Sequence, residues 1–122
     1  MDVSLCTSSY PKARPEQGVL VRTSVGHPRF FRYPLVIART VAPTGSLRDI
    51  ADRETFTPLY FAKLDANRDA VFAETRRIAG EHPGERLVLL CFEDITRPGV
   101  WCHRPVFAEW WKRETGGDAP EL

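Results

Sequence analysis

The chain is poor in cysteine, lysine and surplus charge, and each shortage excludes something. Three cysteines in 122 residues, an odd number at unrelated spacings, do not make a disulfide framework. A formal net charge of +1 gives no global field to draw the protein to nucleic acid or to a membrane surface. No apolar run approaches the ~20 residues of a membrane span, so no membrane partner is expected. The opening Met1-Asp2-Val3-Ser4 lacks the basic region and apolar segment of a signal peptide. The expected location is the cytoplasm, with reduced thiols. Internal repeats, long low-complexity stretches and interior linkers are also missing. The length suits one domain with one core, residues 1–122, with 116–122 as a tail or an edge segment.

Lysine stands only at Lys12, Lys63 and Lys112, so most of the 17 basic residues are Arg. GC-rich coding explains this simply. It also suits anion recognition, because guanidinium forks match phosphate and carboxylate. Hydrophobic content of 43% and charged content of 27% are ordinary for a soluble globular chain.

The hydrophobic pattern predicts strands over 3–8, 18–24 and 87–92. The last, Leu87-Val88-Leu89-Leu90-Cys91-Phe92, is apolar without alternation, as in a central strand covered on both faces. Residues 9–15 hold two prolines and read as a loop. Residues 27–45 are irregular, broken by Pro28, Pro34, Pro43 and Gly45. Ser46 suits the cap of a short helix over 47–52. Thr57 and Pro58 suit the cap and first residue of a helix to Leu64. Asn67 suits the cap of the next helix, to Ala79, with Gly80 as its stop. A final helix is expected over 104–114, with Val106, Phe107, Trp110 and Trp111 on its buried stripe. The predicted fold is a three-layer, Rossmann-like α/β domain, with a small, mostly parallel sheet and flanking helices.

In such sheets, ligands bind beyond the carboxyl ends of the strands. Parallel strands would gather Thr7, Ser8 and Ser9 from the first, Arg22 and Ser24 from the second, and Cys91 and Glu93 from the third. The start of the last helix would add Cys102, His103 and Arg104. A thiol at a helix N-terminus has a lowered pKa, more so beside Arg. The same amides with Arg104 suit a phosphate or carboxylate. His103 suits proton transfer near neutral pH. The functional reading makes Cys102, His103 and Glu93 the reactive groups, with Cys91 as a resolving partner or a buried hydrophobe. The plainer reading packs Cys102 under the helix, bonds His103 to a loop carbonyl and pairs Arg104 with a carboxylate such as Glu93.

Two sharper motifs are set aside. Cys91 and Arg97 have the Cys-x5-Arg spacing of a phosphate loop. However, Glu93 and Asp94 lie inside it, and Pro98-Gly99 turns where a helix is needed. Cys6, Cys91, Cys102 and His103 are soft ligand types, but their spacing is no zinc signature. Adjacent Cys102 and His103 would also have difficulty reaching one ion. No metal and no other cofactor is expected.

Three stretches resemble the family called domain of unknown function 488. They are Thr7-Ser8-Ser9-Tyr10 with its Lys-Ala-Arg-Pro loop, Leu20-Val21-Arg22-Thr23-Ser24-Val25-Gly26, and Leu89-Leu90-Cys91-Phe92-Glu93 followed by Cys102-His103-Arg104. Members commonly read Leu-Leu-Cys-x-Glu, a short loop, then Cys-His-Arg opening a helix. The loop 95–101 is longer here, and Cys6 stands where an aromatic or aliphatic residue is usual. The resemblance implies a Rossmann-like fold and a shared polar site, but no agreed reaction.

The expected function is binding of an anionic small molecule, a nucleotide or nucleic-acid-derived group, with thiol chemistry open. One alternative is a non-catalytic interaction factor, such as a phage or accessory protein that binds a host protein. Another is direct nucleic-acid binding by Lys12, Arg14, Arg29 and Arg32, whose loops interleave with Tyr10, Phe30, Phe31 and Tyr33. A homodimer is the default expectation for a soluble chain.

Overall fold

The computed structural model describes residues 3–122. Met1 and Asp2 of the opening segment lie outside it. Four strands form one parallel sheet: β1 (Leu5–Ser9), β2 (Val19–Arg22), β3 (Val36–Ile37) and β4 (Leu87–Cys91), in the order β1-β4-β2-β3. Leu5 pairs with Leu87, and Val19 pairs with Leu87 from the other side. β4 is therefore interior to the sheet, as its unbroken apolar run requires. Three helices follow in the chain: α1 (Arg53–Ala66), α2 (Arg68–Glu81) and α3 (His103–Thr115).

The small α/β domain is as expected, but its layers are unequal. Leu5, Val19, Val21, Leu87 and Leu89 share one core with the buried residues of all three helices, Trp110 and Trp111 among them. Cys6, Leu20, Val88 and Leu90 face the other way and meet Tyr10, Ala13, Phe31, Tyr33 and Leu35. The second cover is a loop layer with short 3-10 turns rather than a layer of helices. Aromatic side chains from the segment read as irregular do the covering there. That segment also supplies β3, two residues long and too short for a periodic signal.

Helix boundaries shift for local reasons. Asp52, not Thr57, caps α1, and its carboxylate accepts from the Thr55 N–H at 2.7 Å. A carboxylate is also favoured by the helix dipole at that end. Pro58 therefore falls inside α1. Asn67 stands at the N-cap of α2, as expected, and its carbonyl accepts from the Val71 N–H at 2.9 Å, but its side-chain amide donates back to the Lys63 carbonyl at 2.8 Å, at the end of α1. Gly80 stays within α2, which runs on to Glu81. The short helix expected over 47–52 is a 3-10 segment, Gly45–Asp49. Gly116 ends α3 in the left-handed conformation, φ 76°.

The tail forms an edge contact. Thr7 N–H donates to the Pro120 carbonyl, and Leu122 N–H donates to the Thr7 carbonyl, both at 2.8 Å. These bonds seat Glu121 against Arg104. The guanidinium gives Nε to Glu121 Oε1 at 3.1 Å and Nη2 to Glu121 Oε2 at 2.7 Å. The Arg104 side chain is fully buried. Removing the carboxylate leaves that charge without its counter-ion, which typically costs 3–5 kcal/mol. Glu121→Ala is expected to lower unfolding free energy by about 3 kcal/mol in urea titrations. A loss below about 0.5 kcal/mol, the size of an ordinary surface substitution, would show that the pair does not hold the tail.

Candidate functional site

A cavity of about 480 Å³ opens at the carboxyl edge of β2 and β4. Ser24 and Gly26 reach it from the β2 end, Cys91 and Glu93 from the β4 end, and Cys102 and His103 from the start of α3. The opposite wall holds Arg48, Phe56 and Trp101. This wall is braced: Trp101 Nε1 donates to the Ala51 carbonyl at 3.0 Å, and its ring lies 5.0 Å from that of Phe56. Lys63 Nζ holds the preceding loop through the Ala42 carbonyl at 2.8 Å.

The floor of the cavity is built of sulfur and imidazole. Cys91 and Cys102 are joined as a disulfide, which overturns the expectation of reduced thiols for this pair. Spatial proximity brings them together: Cys91 ends β4, and Cys102 caps α3 directly beside it. Cys6 is the free cysteine, buried on the other face, where burial pushes its thiol pKa up.

The hydrogen bonds of His103 settle its tautomer. The Thr23 hydroxyl donates to the Leu90 carbonyl at 2.9 Å, because a carbonyl only accepts. The Thr23 oxygen is then the acceptor for His103 Nε2–H, also at 2.9 Å. Nδ1 keeps its lone pair and lies 3.5 Å from Cys102 Sγ. Burial, aided by the adjacent Arg104 guanidinium, pushes the His103 pKa down to about 3. The Thr23 backbone opposes that shift. The ring is neutral near pH 7, so it offers a lone pair there rather than a positive charge.

The expected residues divide into those that meet and those that do not. Cys91, Glu93, Cys102, His103 and Ser24 gather on the cavity. Arg104 lies behind them instead of lining it, and its guanidinium is engaged. Besides Glu121, it donates through Nη1 to Cys91 Sγ and to the Glu93 carbonyl, each at 3.0 Å. It is thus not free to grip an anion. The plainer reading had the right kind of partner, but the carboxylate is Glu121 rather than Glu93. Arg22 folds over the next turn, donating to the Ser24 and Val25 carbonyls at 3.3 and 2.6 Å. Thr7 is tied to Glu121 at the sheet edge, at 2.7 Å. Ser8 and Ser9 are buried in β1, and Ser8 Oγ finds no partner among the described residues. None of these four lines the cavity.

Sequence reasoning missed Thr23, Arg48 and Glu121. Thr23 was readable as a hydroxyl at a strand end. Arg48 and Glu121 carry no local signal, because only the folded chain brings a loop and a tail to the site. Tests against family models, curated proteins and solved structures match nothing to this chain.

A histidine held neutral makes stability depend on pH. The unfolded imidazole takes a proton near its ordinary 6.5, while the folded one takes it only near 3. The contribution is therefore present above 6.5 and is lost as pH falls from 6.5 toward 3. The slope in that window is about 1.4 kcal/mol per pH unit at most. Chemical denaturation of the metal-free protein at pH 7, 6 and 5 is expected to show this decline, and His103→Gln to flatten it. Equal slopes for the two proteins would remove His103 as the cause.

Proposed function

We propose that this chain is a small-molecule-binding domain whose pocket at the strand ends carries a reducible cysteine pair, Cys91 and Cys102, reactive as thiols once the disulfide is opened. The observation that supports this reading most is the free lone pair of His103 Nδ1, 3.5 Å from Cys102 Sγ on the cavity wall. After reduction, a thiol at a helix N-terminus is more readily ionised, and Cys102 holds that place on α3. The preferred ligand is a small anion, a nucleotide or nucleic-acid-derived group. Its charge would meet Arg48 and the α3 N-terminus, where Cys102 provides no side-chain cap. The reading includes kinship to the domain of unknown function 488 family, whose Leu-Leu-Cys-x-Glu and Cys-His-Arg stretches here build the cavity floor.

After reduction, iodoacetamide at pH 7 is expected to label Cys102 ahead of Cys6 by at least tenfold in rate, as mapped by mass spectrometry. A thermal-shift series of nucleotides and sugar phosphates is expected to raise the melting temperature, and Arg48→Ala to reduce the rise. Sluggish labelling of Cys102 together with no response to any anion would overturn the reading.

A second reading has its own observation. Phe30 is 98% exposed and sits at φ 60°, a conformation rare for an aromatic residue. It borders a second cavity of about 610 Å³ with Arg14, Arg29, Arg32, Tyr33 and Phe92. Rings for stacking beside guanidinium groups for phosphates suit single-stranded nucleic acid. Phe30→Ala is expected to weaken binding of a labelled oligonucleotide about tenfold in fluorescence anisotropy, within the ~1–3 kcal/mol of a stacked base. Affinity should also fall steeply with salt. The absence of salt-sensitive binding would leave this face to a protein partner, as the interaction-factor alternative has it.

A further inference from the structure

We propose that Cys91, Cys102 and His103 form a binding site for zinc or a similar divalent ion, with a fourth coordination position open to the cavity. Their three donor atoms all lie within 4.8 Å of one another, and all three residues are buried. The inference uses the floor of the pocket described above, but it does not depend on an anionic ligand binding there.

The geometry carries it. Tetrahedral zinc with Zn–S of about 2.3 Å and Zn–N of about 2.0 Å places a sulfur and a ring nitrogen about 3.6 Å apart. Cys102 Sγ and His103 Nδ1 are 3.5 Å apart. Two thiolates on the same ion sit about 3.8 Å apart. The Cα atoms of Cys91 and Cys102 are 7.5 Å apart, wider than the ~4.4–6.8 Å that disulfides usually span. In the reduced protein that frame has room for an ion between the sulfurs.

The sequence argued against this site because Cys102 and His103 are adjacent. The backbone answers the objection. Cys102 is the extended N-cap, φ −147° and ψ 166°, and His103 is the first helical residue. The change of conformation between them turns both side chains toward one point.

The surrounding groups also fit a metal. A ligating histidine usually donates its other ring N–H to a protein acceptor, and Thr23 Oγ1 receives it here. A ligating thiolate gains from a hydrogen bond that spreads its charge, and Arg104 Nη1 lies 3.0 Å from Cys91 Sγ. Glu93, which lines the cavity, has Oε2 3.0 Å from the same sulfur. Two thiolates and one imidazole favour zinc over magnesium or calcium, which prefer oxygen ligands.

Loading begins from the disulfide. An added phosphine supplies two electrons and leaves as its oxide, taking the oxygen of a water molecule. The two hydrogens of that water become the two thiol protons. Ligation then releases those two protons to the buffer, while His103 gives its neutral lone pair and releases none.

The test uses the full chain, reduced with a phosphine and treated with zinc or cobalt(II). Native mass spectrometry is expected to show one zinc per chain. The cobalt form is expected to show intense tetrahedral absorption bands with thiolate-to-metal charge transfer. Cys91→Ser and Cys102→Ser should abolish those bands, and His103→Gln should weaken zinc binding at least tenfold. Because buried substitutions risk unfolding, the unmodified protein supplies a second measurement. Zinc should slow alkylation of Cys91 and Cys102 at least tenfold and leave Cys6 unchanged. Absence of stoichiometric zinc in the reduced protein, or equal alkylation with and without zinc, would overturn the proposal. Zinc binding without any anion response would uphold it and sink the anion pocket. An anion response without zinc binding would do the reverse.

Discussion

The rim of this protein depends on one buried positive charge. Arg104 lies at the start of α3 with no exposed side-chain surface, and a guanidinium so placed is stable only when its donors are engaged. Glu121 takes two of its bonds, the Cys91 sulfur and the Glu93 carbonyl take the others. These partners come from the tail, the end of β4 and the loop after it. One side chain thus fixes where the last helix begins, where the central strand ends and where the tail returns. An apolar residue would avoid the desolvation cost, but it would not tie three separated segments together.

The same charge shapes the chemistry next to it. Burial keeps the His103 ring neutral, and the guanidinium beside it adds to this by opposing a second positive charge. Thr23 then holds Nε2–H and leaves Nδ1 for the sulfurs. The site is consequently one of sulfur and a neutral imidazole rather than of cations. Arg104 contributes from behind the cavity wall, by orienting and polarising.

Much of the fold is legible in the residues. The unbroken run from Leu87 to Cys91 marks the interior strand, and the spacing of Val106, Phe107, Trp110 and Trp111 marks the last helix. The loop layer was not legible, because Phe31, Tyr33 and Leu35 sit among prolines without any period. Asp52 displaced Thr57 as a cap because both residue types suit the role, and the Asp52 carboxylate is the one that reaches a first-turn N–H, that of Thr55. At the site, the cysteines, His103, Glu93 and Ser24 were found because hydroxyls, thiols and carboxylates at strand ends are a recognisable pattern. Arg104 was chosen as well, but its direction was not readable. Whether an arginine faces a cavity or a carboxylate depends on what the far end of the chain brings to it, and Glu121 is 17 residues away.

The pairing order of the sheet has a consequence for how the chain acquires its structure. β1 finds its neighbour in β4, Leu5 beside Leu87, and the edge contact of Thr7 involves Pro120 and Leu122. Every contact of the first strand within the sheet is thus with residues made much later. During synthesis, Cys6 and its neighbours must wait beside the ribosome without a partner, while α1 and α2 are free to form from local contacts. Long loop closures of this kind slow folding. The helical half is therefore the natural early scaffold, and the pocket floor, which needs β4 and α3 together, is among the last parts to be assembled.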